Sequence, residues 1–390
     1  MFEKEKELFG ELLIRQIERI DKIKLSEEIT DYKNKKKIII GICGGDGIGP
    51  LITLQAKKIL VYALEEGLEQ GKIILKDITG LTIEERIKEN SAIPKKVLKQ
   101  IKECDVILKG PTTTPRKGDN LPNIESANVA MRKELDLFAN VRPIKNSKLN
   151  IDWTFFRENT EGGYAVGKEG ININEDLSVD FTITTKQGSE RIIRSAFEYA
   201  RKNNKTRVTA VTKANVIKTT DGKFLDIFYK IASEYKNIEA DDWYIDIMSA
   251  KLLDKERRSN FQVIVAPNLY GDILTDEAAE IQGGVGTAGS ANIGNKYAMF
   301  EAIHGSAPRM VEEKREKYAN PTSIIKAAIL LLEHIGYNKK AKVIETALEN
   351  CLNNGIRVNS RDKAYTNEVF AEKIIEEIQD IERKWNKDKK

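Results

Sequence analysis

Residues 35–50 read KKKIIIGICGGDGIGP, and this stretch indicates the fold class of the chain. The β-branched run from Ile38 to Ile42 predicts a short buried strand. A tight turn is predicted next by Gly44, Gly45, Gly47 and Gly49. A helix is expected from about Leu51. A strand, a glycine turn and a helix in this order form the unit from which parallel sheets are built.

The same alternation continues along the chain. Short buried strands are predicted at DVILKG (105–110), TRVTAVTKAN (206–215) and FQVIVAPN (261–268), and segments of helical period such as SERIIRSAFEYARKN (189–203) separate them. An α/β fold with a mostly parallel sheet follows. DLSVDFTITT (176–185) differs, because its apolar and polar residues alternate. That pattern predicts a half-buried antiparallel arm suited to pairing with another subunit.

Composition excludes several classes of protein. The 390 residues are 41% hydrophobic, which predicts a large core and two domains. Basic and acidic residues are nearly balanced, at 64 and 60, so nucleic acid is not the expected partner. The apolar runs are too short for a bilayer, and a cytoplasmic protein without a membrane partner is expected. Three cysteines without a CxxC pair predict reduced, buried thiols, and two histidines disfavour a His-based zinc site.

A set of arginines predicts a ligand with several carboxylates. Arg132 and Arg142 lie in SANVAMRKELDLFANVRP (126–143), and Arg157 follows in FFRENTEGGY (155–164). A guanidinium matches a carboxylate at two points. Ser126 and Asn128 add neutral hydrogen bonds. Proton transfer is possible at Tyr164 and at Lys213, which lies just past a predicted strand.

Carboxylates predict a metal site. In NLYGDILTDEAAE (268–280), Asp272 and Asp276 are one helical turn apart, and WYIDIMSAKLL (243–253) adds Asp246. Oxygen ligands without clustered histidine or cysteine favour Mg²⁺ or Mn²⁺. Without a metal, the pair would be an exposed helix face. The loop GGDGIGP does not have the G-x-G-x-x-G spacing of a dinucleotide turn, so by itself it predicts only a tight turn.

Several motifs together resemble the β-decarboxylating dehydrogenases, which include isocitrate, homoisocitrate and 3-isopropylmalate dehydrogenases. In family order, from about residue 37 to beyond 330, they are GGDGIGP, LKGPTTTP, SANVAMRKELDLFANVRP, FRENTEGGYA, VTKANV, NLYGDILTDEAAE, and IHGSAP followed by YANPT. The resemblance implies an isopropylmalate-dehydrogenase-like α/β fold and a homodimer with shared active sites. The implied parts are an N-terminal helical extension (1–34), a large cofactor-side domain (35–137 and 283–390), and a small domain (138–282) with an antiparallel clasp arm at about 162–186.

The resemblance also implies residue roles. Tyr164 and Lys213 match catalytic residues. The substrate would be bound by Ser126, Asn128, Arg132, Arg142 and Arg157. The metal would be held by Asp272 and Asp276, with Asp246 and Lys213 contributed across the dimer interface. The nucleotide would be bound by Thr113, Asn215, His304, Gly305, Arg309 and Asn320.

The reaction implied is metal-dependent oxidative decarboxylation of isocitrate to 2-oxoglutarate and CO₂, with reduction of NAD or NADP. A polar pair at Ser126 and Asn128 disfavours an isopropyl tail, because its hydrogen-bonding groups would be left unpaired. Homoisocitrate is the next alternative, ahead of 3-isopropylmalate. Arg309 follows HGSAP where NAD-using relatives typically carry an aspartate, which favours NADP. The link RMVEEKREKYANP (309–321) is longer than the family's usual link between HGSAP and the NP pair. This longer link can displace Arg309, or supply Lys314 or Lys317 in its place.

The sequence departs from the family pattern in two places, and each departure leads to a prediction. Gly162 and Gly163 replace an acidic and a bulky residue that often precede the catalytic tyrosine, so a more mobile Tyr164 loop is predicted. Residues 1–34 lie outside the core resemblance and would help assembly or play no part at the site.

A non-catalytic regulatory subunit is disfavoured because the metal and catalytic residues are present. A phosphotransferase would need a G-x-x-x-x-G-K loop, which the sequence lacks.

Overall fold

The computed structural model describes residues 3–24, 29–115, 118, 121–122, 124–167, 170–358 and 365–387. These residues form two compact units. The first unit comprises the described residues of 1–29, 136–282 and 292–295. The second unit comprises those of 30–135, 283–291 and 296–390. The N-terminal segment up to residue 29 therefore groups with the middle of the chain.

Strands and helices alternate along most of the chain. The strands are β1 (Ile38–Cys43), β2 (Ile73–Ile78), β3 (Val106–Lys109), β4 (Ala139–Asn146), β5 (Ile151–Glu158), β6 (Ile171–Asn172), β7 (Ser178–Val179), β8 (Arg207–Thr212), β9 (Glu239–Tyr244), β10 (Val263–Ala266), β11 (Gly289–Ile293) and β12 (Ala298–Ala302). The helices are α1 (Glu3–Lys24), α2 (Gly49–Ala63), α3 (Glu65–Glu69), α4 (Ile83–Lys88), α5 (Lys95–Lys102), α6 (Ala127–Glu134), α7 (Gly163–Val166), α8 (Lys186–Lys202), α9 (Thr220–Ala232), α10 (Ile245–Leu253), α11 (Asn268–Gln282), α12 (Pro308–Glu312), α13 (Thr322–His334), α14 (Asn338–Asn353) and α15 (Asn367–Lys387).

The second unit contains the strand, turn and helix predicted from residues 35–50. Its strands lie in the order β2-β1-β3-β12-β11, and β1 pairs in parallel with both β2 and β3. The turn requires glycine, because Gly45 has a φ of 72° and a Cβ there would lie 2.1 Å from the carbonyl oxygen of Pro111. Helix α2 then begins at Gly49, with Pro50 in its first turn. The predicted parallel α/β arrangement is confirmed here.

The first unit has the strand order β4-β5-β10-β8-β9. Strands β5, β10, β8 and β9 pair in parallel, and β4 pairs with β5 in the antiparallel sense. Helices α8 and α9 pack on this sheet through fully buried side chains, which include Phe197 and Phe228 on the helices and Val208 on β8. Parallel strands buried between helices read as continuous apolar runs, which is why their sequences predicted them.

The predicted arm is less regular than its alternating sequence indicates. In residues 176–185, only Ser178–Val179 forms a strand, paired antiparallel with Ile171–Asn172. Ile183 makes a separate antiparallel bridge to Gly162. The segment is therefore held at two points instead of by one continuous ladder, and pairing with a second subunit stays a prediction.

The expectation of reduced, buried thiols has a structural counterpart. Cys43, Cys104 and Cys351 are buried and free, as predicted. Burial raises the pKa of the Cys104 thiol to about 11, which keeps it protonated at neutral pH. Among the helices in the described part of the chain, none is long and apolar enough to cross a membrane.

Candidate active site

The first unit brings together five of the predicted site residues, called here the charged cluster: Arg142, Arg157, Tyr164, Asp272 and Asp276. Arg157 lies near the carboxyl end of β5, in register with Ala266 of the parallel strand β10. Helix α11 begins at Asn268, just after β10, and carries both aspartates. The end of a parallel strand thus places an arginine beside the start of the helix that bears the carboxylates.

Each aspartate of the charged cluster is bonded to an arginine. Arg157 donates to Asp272 Oδ1, and the Tyr164 hydroxyl donates to Asp272 Oδ2 at 2.7 Å. The Arg157 guanidinium also lies 5.3 Å from the centroid of the Tyr164 ring. Arg142 Nη1 donates to Asp276 Oδ1 at 2.8 Å and to Thr275 Oγ1 at 2.7 Å. The predicted metal ligands and the predicted substrate arginines therefore share one hydrogen-bonded group.

The charged cluster suits a hard cation and an anionic substrate. The side chains of Asp272 and Asp276 are 33% and 62% exposed, and carboxylate oxygens keep further acceptor sites after one bond each. Arg142 Nε is buried and has no hydrogen-bond partner among the described residues. No group of three or more His, Cys, Asp or Glu side chains that could together hold a metal ion occurs in the described part of the chain. These residues supply two carboxylates, and a further ligand has to come from elsewhere.

Lys213 and Asp246 form an ion pair of their own. Lys213 directly follows β8, and its Nζ donates at 2.6 Å to Asp246 Oδ1 in the first turn of α10. This bond holds the pKa of Asp246 below its ordinary value. The Lys213 amide is held by Asp221 Oδ2 at 2.7 Å, which sets the turn after the strand.

The second unit carries the other predicted substrate residues around α6. Ser126 precedes this helix, and within the described structure its hydroxyl makes no capping bond. The side-chain oxygen of Asn128 accepts from Thr112 Oγ1 at 3.1 Å, so its NH₂ group is the part left for a ligand. Arg132 Nη2 donates to Glu301 at 3.3 Å, while its buried Nε has no partner among the described residues.

A cleft of about 1040 Å³ lies in the second unit. Its walls include four of the predicted nucleotide-binding residues, namely Thr113, His304, Gly305 and Asn320. Arg309 is not among the lining residues; its side chain is 84% exposed and donates through Nε to Glu313 at 2.6 Å. Asn215 belongs to the first unit and is exposed.

The polar groups of the cleft suit a nucleotide base. Nδ1 of His304 lies 3.0 Å from the carbonyl oxygen of Gly305, so it carries the proton and Nε2 is an acceptor. Burial lowers the pKa of His304, which keeps the ring neutral at pH 7. The buried Nε2 has no partner among the described residues. Asn320 Oδ1 accepts from Thr322, which leaves the Asn320 NH₂ group as a donor.

Sequence reasoning missed two residues that position the site. Asp46, between glycines of GGDGIGP, accepts from the amides of Thr113 at 2.7 Å and Ile83 at 2.8 Å, and so holds the cleft wall. Asn268 accepts from Arg157 Nε at 2.9 Å and Nη2 at 2.6 Å. A carboxylate within a glycine turn and an asparagine that starts a helix were the available signals.

The chain is similar to known proteins over most of its length. Residues 39–378 match the family model described as isocitrate/isopropylmalate dehydrogenase. The chain is 40% identical over 326 residues to a homoisocitrate dehydrogenase of Methanocaldococcus jannaschii, covering 80% of this chain and 89% of that protein. It is 39% identical over 358 residues to an NADP isocitrate dehydrogenase of Rickettsia bellii, covering 87% of this chain and 69% of that protein.

A solved structure agrees with the fold. The crystal structure of an isocitrate dehydrogenase from Methylococcus capsulatus matches with a TM-score of 0.77 and 36% identity, covering 88% of this chain and 99% of that one. Members of the family use a divalent metal and NAD or NADP. With a family match across most of its length, this chain belongs to the isocitrate/isopropylmalate dehydrogenase family of decarboxylating dehydrogenases.

Proposed function

We propose that this chain oxidatively decarboxylates isocitrate to 2-oxoglutarate and CO₂, with NADP or NAD as hydride acceptor. The observation that carries the proposal is the charged cluster, in which Arg157 and Tyr164 meet on Asp272 while Arg142 meets Asp276. It combines groups that bind carboxylates, hold a hard cation and transfer a proton.

The residues of the chain have separate tasks in this reaction. Asp272 and Asp276 would hold a divalent cation, which would supply Lewis-acid stabilisation of developing oxygen charge. Arg142 and Arg157 orient substrate carboxylates through their guanidinium groups. Lys213, in its neutral amine form, takes the proton of the substrate hydroxyl. Tyr164 returns a proton to carbon after CO₂ has left, and its bond to Asp272 sets the position of its hydroxyl.

The substrate assignment depends on Ser126 and Asn128. The hydroxyl of Ser126, which makes no capping bond in the described structure, and the amide NH₂ of Asn128 are donors suited to a third carboxylate. An isopropyl group in their place would leave both donors unpaired. Homoisocitrate is the second candidate, because it carries the same three carboxylates and a 40% identical relative is named for it.

NADP is the favoured nucleotide. Arg309 directly follows Pro308, which lines the cleft, and arginine suits a 2′-phosphate. Glu313 in the longer link binds both Arg309 and Arg315, so it sets the direction of both side chains. Glu312 also acts electrostatically on Arg309, so two guanidinium groups and two carboxylates meet at this point.

A direct assay tests the reaction. The purified chain is given Mg²⁺ or Mn²⁺, NADP or NAD, and isocitrate, homoisocitrate or 3-isopropylmalate, and the absorbance of the reduced nicotinamide is followed. We expect the highest kcat/KM with isocitrate and NADP, and loss of turnover with a chelator. Absence of reduced nucleotide in every combination would overturn the proposed reaction. A clear preference for homoisocitrate would show that homoisocitrate, and not isocitrate, is the substrate.

We also propose a homodimer with shared active sites. Large apolar side chains are exposed on α10, on α11 and on the turn after β8, and they include Val216, Ile247, Leu253, Leu269 and Ile273. Helices α10 and α11 pack against each other, so these side chains belong to neighbouring elements. Exposed apolar surface of this kind marks a protein interface. It also lies beside Lys213 and Asp246, the residues expected to serve a partner.

Mixed dimers test whether each active site contains residues of both subunits. Lys213→Ala and Asp272→Asn are each expected to be inactive, but a hybrid of the two has one site with both native residues. Random mixing during refolding should therefore restore roughly a quarter of the wild-type activity. Persistent inactivity of a mixture that sediments as a dimer would contradict shared sites.

A further inference from the structure

The N-terminal helix α1 makes a specific contact with the turn that precedes Tyr164. Nη1 of Arg19 lies 3.2 Å from Glu161 Oε1, and its Nη2 donates to Thr160 Oγ1 at 3.0 Å. The side chains of Arg19 and Glu161 are only 23% and 4% exposed. A guanidinium that bonds two consecutive residues through separate nitrogens restrains both of them.

Two buried carboxylates, Glu158 and Glu161, lie at this turn and accept several hydrogen bonds. The amides of Thr160 and Glu161 donate to Glu158 at 3.0 Å and 2.6 Å. Glu161 accepts from the amide and hydroxyl of Thr185 at 2.9 Å and 2.5 Å. Arg191 donates to Thr160 Oγ1 at 3.1 Å, on the same oxygen that Arg19 reaches. A buried carboxylate that loses its cationic partner is strongly destabilised, so the loss of Arg19 acts directly on this turn.

Hydrogen bonds connect the turn to the charged cluster. The carbonyl oxygen of Glu161 accepts from Asn268 Nδ2 at 2.9 Å, and Asn268 in turn holds Arg157. Between Glu161 and Tyr164 the chain has only Gly162 and Gly163, and Gly162 has a φ of 71°. Neither glycine has a side chain that can fix the turn. The turn is held by the Gly162 amide, which donates to the carbonyl oxygen of Ile183 at 2.8 Å, and by the bonds made just before the glycines.

We propose that Arg19 is a positioning residue for Tyr164, so that α1 is a functional part of the active site. The proposal rests on the proposed function and deepens it. Arg19 fixes Thr160 and Glu161, and this keeps the Tyr164 hydroxyl on Asp272. Helix α1 precedes residues 39–378, the part of the chain that matches the family model, so the contact is made by a segment outside that match.

Kinetics of the full chain test this role. We expect Arg19→Ala to lower kcat with isocitrate about tenfold while KM changes less than about twofold, because a displaced proton donor slows the step after binding. Arg19→Lys should recover part of the loss. Lys22→Ala, which removes a charge from an exposed position of α1, is the matched control and should keep the wild-type kcat.

A double variant separates positioning from general stability. When the hydroxyl is already absent in Tyr164→Phe, the added Arg19→Ala should lower kcat no further. A further tenfold fall in that background would overturn the role through Tyr164, and so would an unchanged kcat in Arg19→Ala. If Arg19→Ala does not fold, Arg19→Gln and Arg19→Lys carry the same comparison.

Hydrogen exchange tests the contact without relying on activity. The amides of Thr160 and Glu161 should exchange faster in Arg19→Ala than in Lys22→Ala, whatever the turnover of the enzyme. Equal exchange in both variants would overturn the proposal. A wild-type chain without turnover on any substrate would instead overturn the proposed reaction, and exchange would still decide whether Arg19 restrains the turn.

Discussion

In the first unit, the charged cluster joins two arginines and a tyrosine to two aspartates. The cleft of the second unit is lined instead by hydroxyls, backbone groups and a histidine that burial keeps neutral. The charged cluster has groups for holding a cation and moving protons, whereas the cleft has groups for recognising a neutral base. Substitutions in the charged cluster should therefore change turnover, and those near the cleft should change nucleotide choice.

The largest effect is expected from Asp272→Asn. This carboxylate accepts from both Arg157 and Tyr164 and is a predicted metal ligand, so its neutralisation should lower kcat at least about 10³-fold. The rise in melting temperature that Mg²⁺ or Mn²⁺ gives the wild type should also disappear. The exposed Glu280→Gln on the same helix is the control. If Asp272→Asn kept the wild-type rise in melting temperature with Mg²⁺ or Mn²⁺, the charged cluster would not be the site that binds the cation.

Tyr164→Phe should lower kcat by about 10²-fold, the usual contribution of a positioned proton donor. The ring remains near Arg157, so substrate KM should change little. Steady-state rates with isocitrate measure both values. Tyr229→Phe removes another tyrosine hydroxyl, one bonded to Asp242, and should leave kcat unchanged. A rise in KM without a fall in kcat would assign Tyr164 to binding instead of proton transfer.

A smaller effect is expected next to the cleft. Arg309→Asp should shift the ratio of kcat/KM for NADP over NAD by about tenfold towards NAD, because a carboxylate repels the 2′-phosphate. The same ratio is measured for Lys314→Ala and for Lys317→Ala. A larger shift from either lysine would place the phosphate contact in the longer link, and an unchanged ratio in Arg309→Asp would contradict its role.

The smallest effect concerns stability and pH. Burial, together with the nearby Glu161, raises the pKa of Glu158 from 4.5 to about 7. The folded chain then binds this proton more tightly than the unfolded chain, so the free energy of unfolding should fall as pH rises from 4.5 to 7. Glu158→Gln should flatten this slope by on the order of 1 kcal/mol per pH unit. Urea unfolding at pH 4.5 and at pH 7 measures the free energy of unfolding of each variant, and the exposed Glu256→Gln is the control. If Glu158→Gln leaves the dependence on pH unchanged, that dependence belongs to other groups.

Local pattern predicted the regular elements well and the irregular ones poorly. The buried run at Ile38 and the helix-spaced pair Asp272 and Asp276 were predictable, because strand and helix periods are local properties. The alternating segment 176–185 forms only a two-residue ladder, since a strand also needs a partner in register. Asp46 was missed because its importance lies in amides distant in sequence.

The sequence by itself determined the α/β class, the set of arginines and carboxylates, and the family resemblance, because these depend on spacing and residue type. Only the tertiary structure decided which charges meet. Arg157 contacts Asp272 because parallel strands bring a strand end beside the start of α11. Arg19 reaches Glu161 across 142 residues of sequence. Contacts between distant residues depend on strand register and helix packing, and no local pattern contains that information.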